Sequence, residues 1–156
     1  MLWPTTAMRD ARGALQVAGV SLDALADEYG TPLYVFDVAT IREQCRRYTR
    51  AFDGAWPRPR VVYAGKAGMS YALLEIIAAE GLWLDVVSGG ELAYALACGF
   101  PAGRIHFHGN NKTPDELRLA LDSGIDTIVI DNFDEIDLLA ELTSGRAARQ
   151  TVLVRV

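Results

Sequence analysis

Cysteine is nearly absent from this chain. Its 156 residues hold two, Cys45 and Cys98, too few for a disulfide scaffold and without the spacing of a metal site. Long apolar runs are missing as well: charge or glycine interrupts every stretch before it could cross a bilayer, so no membrane partner is expected. The first twenty residues have no basic segment followed by an apolar one, so they do not read as a secretion signal. A reduced, cytoplasmic protein is the simplest expectation. Basic residues are in deficit, 15 against 20 acidic ones for a net charge of −5, which argues against a nucleic-acid partner. Neither GxGxxG nor GxxxxGK[ST] occurs, so dinucleotide and P-loop binding lack the motif that carries them.

Lysine is scarcer than any surface composition requires. Thirteen arginines are accompanied by Lys66 and Lys112 alone. A lysine kept against that bias is expected to be needed as an amine. Lys66 closes the apolar run Val61-Val62-Tyr63-Ala64, where burial would favour the free amine. Such an amine suits a carbonyl substrate or a carbonyl cofactor such as pyridoxal phosphate. A strand-end lysine reaching solvent is the plainer alternative.

What is present is a core. Half of the residues are hydrophobic, 51% against 22% charged, which excludes general disorder. Residues 1–20 form a lead-in without period. Ser21 caps a helix over 22–29 that Gly30 stops. LYVFD (33–37) reads as a strand, and 39–52 as a helix whose arginine face is solvated. Strands follow at 61–67, 82–87, 104–109, 126–131 and 151–156, separated by helices at 70–81, 89–99, 113–124 and 132–143. Ser88-Gly-Gly-Glu91 and Thr113-Pro-Asp-Glu116 fit reciprocal capping boxes. This alternation is an α/β fold with a parallel sheet, either doubly wound or part of a barrel. A closed (β/α)8 barrel takes about 250 residues, so a complete one is excluded. In either case the site is expected at the strand carboxyl ends, which are rich in glycine and polar groups.

Four further residues stand out in these strands. Asp85 lies in an apolar strand and needs a partner, for which Lys66 is one candidate; a loop aspartate is the plainer reading. His106 and His108 flank Phe107 and are expected on opposite sides of the strand, with only His108 reaching the pocket and His106 in the core. Arg155 sits among apolar neighbours and wants an anionic or accepting partner.

GTPLYVFD (30–37), VVYAGKA (61–67), LDVVSGGEL (84–92) and IHFHGNNK (105–112) run in order and together resemble the N-terminal part of the diaminopimelate decarboxylases. The resemblance implies an alanine-racemase-like (β/α)8 barrel, present here from residue 38 to a fifth strand after a lead-in and strand over 1–37. It implies pyridoxal phosphate as cofactor, carried on Lys66, with Asp85, His108 and Arg155 around it. It implies decarboxylation of meso-diaminopimelate to L-lysine by a homodimer. The rest of the barrel and a C-terminal β domain are expected beyond this stretch, so the 156 residues alone are expected to be inactive. An ornithine- or arginine-type decarboxylase of the same fold group remains an alternative, as does a non-catalytic relative that binds the cofactor or a full-length subunit.

Overall fold

The computed structural model describes residues 3–156. They fall into two compact units divided between Pro57 and Arg58.

In the first unit a small antiparallel meander joins β1 (Met8–Arg9), β2 (Leu15–Val17) and β3 (Val20–Ser21). Asp10 builds its first turn, its side chain accepting from the N–H groups of Arg12 and Ala14. Helix α1 (Leu22–Tyr29) starts at Ser21 and ends at Gly30, as the sequence predicts. The strand expected over 33–37 is not formed. Leu33 to Phe36 are exposed, with Tyr34 at 89%, and among the described residues they have no strand partner. β-propensity records fit to a half-buried pleated surface, and a segment without a neighbour cannot realise it. Asp37 instead caps α2 (Val38–Phe52): it accepts from Ala39 N–H and from the hydroxyls of Thr6 and Thr40.

The second unit alternates strand and helix throughout. β4 (Val62–Ala64), α3 (Tyr71–Ala79), β5 (Trp83–Val86), α4 (Gly89–Ala97), β6 (Ile105–Phe107), α5 (Pro114–Ser123), β7 (Thr127–Ile130), α6 (Phe133–Thr143) and β8 (Thr151–Val154) follow in order. The five strands pair in parallel in the order β4-β5-β6-β7-β8. That order separates the two architectures left open by the sequence. A doubly wound sheet reverses its strand order at a switch point, whereas this one never does. Right-handed crossovers in one direction place every helix on the same face, as in the wall of a (β/α)8 barrel.

Register assigns the two faces. Leu84 pairs with Ile105, and Val86 with Phe107, which pairs with Ile128. All five are fully buried, together with Leu74 and Ile77 of α3, Leu92 of α4 and Leu117 of α5. The intervening positions belong to the other face: Asp85, His106 and Thr127 stand in one register row, with Trp83 and His108 two residues, and Asp131 four residues, from them along the chain, an even spacing that keeps the same face.

Candidate active site

Polar groups converge at the carboxyl ends of these strands, and helix-capping glutamates hold the turns that carry them. Ser88 accepts from Glu91 N–H, and Glu91 Oε2 accepts from Val87 N–H at 2.8 Å. The box expected at Ser88 is therefore displaced by one residue, because the glutamate reaches past the cap to Val87, the residue after β5. At Thr113 the box is reciprocal as expected, and Pro114 opens the helix. Glu116 Oε2 accepts from Thr113 N–H at 2.8 Å and Oε1 from Gly89 N–H at 2.6 Å, so it ties two neighbouring turns. These bonds, Thr113's first and then Gly89's, hold its carboxyl below the usual range. Glu135 repeats the device after β7, with Oε2 accepting from Asp131 N–H at 2.9 Å.

Lys66 lies in a 3-10 turn, Gly65–Ala67, that leaves the end of β4. The strand expected through residue 67 stops at Ala64, and the expected burial of the amine is not seen: Lys66 is exposed, and among the described residues it makes no hydrogen bond or ion pair. The turn is pressed onto β5, since a Cβ at Gly65 would stand 2.9 Å from the Asp85 carbonyl oxygen. Asp85 is paired with His108 rather than with Lys66: the His108 Nδ1–H donates to Asp85 Oδ1. A carboxylate only accepts, so Nδ1 carries the proton of this contact, which in the neutral ring makes Nε2 the acceptor. His108 is 42% exposed and its N–H is held by the Val86 carbonyl. Gly109 makes that close approach possible. Its φ is +115°, and a Cβ there would meet the Val87 carbonyl oxygen at 2.8 Å.

Arg155 lies beyond β8 with its N–H on the Ile130 carbonyl. Its Nη1 donates to Asp131 Oδ1 at 2.8 Å, and the rest of the guanidinium is exposed. Lys112, the second lysine, is buried. Its Nζ lies 2.7 Å from Glu135 Oε1 and donates to the carbonyls of Gly109 at 2.6 Å and Val129 at 2.8 Å.

The two histidines do not face opposite sides. Residues two apart on a strand share a face, and what separates them is depth. His106 is 9% exposed, its ring centroid 5.3 Å from that of Trp83, in keeping with the expected core histidine. Sequence reasoning passed over Asp131 and Glu135, although Asn132-x-x-Glu135 has the same cap-and-glutamate spacing as the two boxes it recognised.

The structure thus gathers Asp85, His108 and Arg155 along one sheet face, with the Lys66 turn on the neighbouring strand end. Residues 38–156 match the family described as pyridoxal-dependent decarboxylase, pyridoxal binding domain. The diaminopimelate decarboxylase of Bacillus subtilis is 50% identical over 151 residues, covering 97% of this chain and 34% of that protein. That of Mycobacterium tuberculosis is 43% identical over 155 residues, covering 99% of the chain and 34% of the relative. The chain therefore spans about a third of the length of the curated relatives it matches. Among solved structures, the diaminopimelate decarboxylase of M. jannaschii in complex with L-lysine superposes with a TM-score of 0.91 at 31% identity, covering 99% of this chain and 36% of that one. The lysine/ornithine decarboxylase of Vibrio vulnificus, complexed with putrescine, gives 0.72 at 27% identity, over 86% of this chain and 35% of that one.

Proposed function

Since the chain belongs to the pyridoxal-dependent decarboxylase family, and matches its pyridoxal-binding domain over residues 38–156, we propose that it carries the cofactor lysine of an enzyme that decarboxylates meso-diaminopimelate to L-lysine. The supporting observation is Lys66: an exposed amine without a partner among the described residues, on a turn packed against Asp85 at the carboxyl edge of the sheet. The donor set suits an aldehyde cofactor, with the Lys66 amine at the end of β4 and, on the next two strands, a carboxylate and the imidazole it orients. When bound, pyridoxal phosphate supplies the electron sink for cleavage beside the amino-bearing carbon.

The chain's own residues have distinct roles in this reading. Lys66 holds the cofactor and exchanges protons at Nζ. Asp85 orients His108, whose Nε2 offers a proton acceptor toward the open side. Asp131 steadies Arg155 by one Nη1–H, leaving its other donors for an anionic group. Residues 38–156 form the barrel portion. The relatives named as diaminopimelate decarboxylases support the substrate. The whole enzyme is read as a cytoplasmic homodimer acting on an amino acid; no helix among the described residues is long and apolar enough to cross a membrane.

Incubation with pyridoxal phosphate, borohydride reduction and peptide mapping test the assignment. One adduct per chain on Lys66 is expected, lost in Lys66→Ala, with Lys112 protected by its three buried contacts. An adduct confined to Lys112 or the N-terminus refutes it. In the enzyme containing this chain, carbon dioxide release should be fastest from meso-diaminopimelate; a preference for ornithine or arginine would replace the substrate.

A further inference from the structure

Lys112 needs a reason to be a lysine. Its side chain is 1% exposed and that of Glu135 is 6%. Its ammonium donates to two carbonyls, those of Gly109 and Val129, and forms an ion pair with the Glu135 carboxylate at 2.7 Å, so it makes three separate polar contacts. A compact ammonium on a flexible stem fits such a buried spot, whereas the larger guanidinium holds its donors in one rigid plane, in keeping with lysine here in a chain that otherwise uses arginine. A buried ion pair is weak evidence for stability, because desolvation offsets most of its attraction. Glu91 secures the β5 turn with no lysine at all. What Lys112 adds is a link between two adjacent turns.

Followed outward, that link is continuous. Gly109, whose carbonyl Lys112 holds, directly follows His108, and His108 donates to Asp85. Glu135 holds Lys112 with one oxygen and the Asp131 N–H with the other. Asp131 in turn accepts from Arg155. One polar path thus runs from β5 to the residue after β8 and contains three of the four proposed site residues.

We propose that the Lys112–Glu135 pair is the positioning device of this site, locking the β6 and β7 turns so that His108 and Arg155 keep a fixed separation. The proposal rests on the assignment of those two residues to the site. Lys112 and Glu135 are positioning residues and need not touch substrate or cofactor.

The test compares Lys112→Met, Glu135→Leu and the double variant. Each single change leaves one charge buried and unpaired and should lower the urea midpoint, whereas the double change removes both charges and should recover it. Positioning predicts that function does not recover with stability. In 15N-labelled protein, the His108 Nδ1–H signal reports the contact with Asp85. It is separable because the chain has two histidines and His106→Gln identifies the other. In the double variant this signal should shift or broaden. In the enzyme, kcat should stay about 10- to 100-fold down, the scale of a misplaced reacting group, while borohydride still labels Lys66. A double variant with the wild-type midpoint, His108 signal and kcat makes the pair merely structural and overturns the proposal. Should the double variant not fold, Lys112→Arg decides: the charge stays but the three-point geometry does not, so an undisturbed His108 signal refutes positioning. Failure of wild-type labelling at Lys66 would instead remove the functional reading, while the NMR comparison still decides the coupling.

Discussion

Replacing Gly65 by alanine adds one methyl group immediately before Lys66. At that position a Cβ would lie 2.9 Å from the Asp85 carbonyl oxygen and 2.9 Å from Met69 Sδ. The thioether can swing aside. The carbonyl cannot, because it belongs to β5, hydrogen-bonded between β4 and β6. Gly65 does not occupy the left-handed region, so the penalty is steric and has no backbone component. Overpacking of this kind costs about 1–3 kcal/mol. Alanine also restricts the unfolded chain, which returns about 0.4–1 kcal/mol. The net expectation is a loss of about 1 kcal/mol, with the turn pushed away from β5.

Gly103→Ala is the matched control. Nothing lies within 4 Å of its Cβ position, and its φ is not positive. Only the unfolded-state effect operates there, giving a gain of about 0.4–1 kcal/mol. Urea unfolding of the two variants should therefore give midpoint shifts of opposite sign. Pyridoxal phosphate and borohydride should label Lys66 more slowly in Gly65→Ala and at the wild-type rate in Gly103→Ala. If both variants gain stability alike and label alike, the Lys66 turn is not pressed against Asp85, and the steric reasoning fails.

Phe107→Ala should destabilise by about 3–5 kcal/mol, because Phe107 is fully buried where the sheet meets its helices; a loss under 1 kcal/mol in urea would contradict that packing. His106 carries the expected pH dependence. Burial above all holds its pKa below the ordinary 6.5, with Arg60 and His108 acting the same way and Asp126 and Asp85 opposing. The unfolded chain then binds more protons in that window, so stability should fall as pH drops from about 6.5 toward the folded-state value and be indifferent above it. His106→Gln should flatten this slope, and an unchanged slope would refute the assignment.

Helices were legible because their signals are local. Ser21, Ser88 and Thr113 cap where the sequence places them, and Gly30 and Gly124 end their helices with positive φ. Strand existence was legible from apolar runs bounded by glycine, but strand ends were not. The Gly-Lys-Ala turn read as strand because its defining contact, Gly65 against the Asp85 carbonyl, joins positions twenty residues apart. The β1–β3 meander was invisible, since strands of two or three residues show no alternation. Counting residue types singled out both lysines, yet composition could not tell an amine left free from one committed to Glu135. Asp85 was noticed as a misplaced carboxylate, but its partner depended on strand register, which no local pattern carries.

The two histidines show how one sheet face divides into a sealed layer and an open one. Both point the same way, and strand geometry sets them about 6.6 Å apart along β6. Around His106, Arg60 stacks 4.0 Å over Trp83 and donates to Asp126 Oδ2 at 2.7 Å. Thr127 donates to the same oxygen at 2.6 Å, so His106 Nε2, 3.5 Å away, is left buried without a hydrogen bond. Charge on that ring would be poorly compensated, and water has no ready access to it. Two residues further on, the His108 ring is tied at Nδ1 alone, and its surroundings are the turns held by Glu91, Glu116 and the Lys112–Glu135 pair. The fixed groups there belong to short, multiply bonded turns, while the chemically available atoms, Lys66 Nζ and the free side of Arg155, are exposed. A rigid floor beneath a rigid rim is what orienting a reactive amine requires. In the proposed reading the polar chemistry belongs to the upper layer, while His106 fills the buried one beneath it.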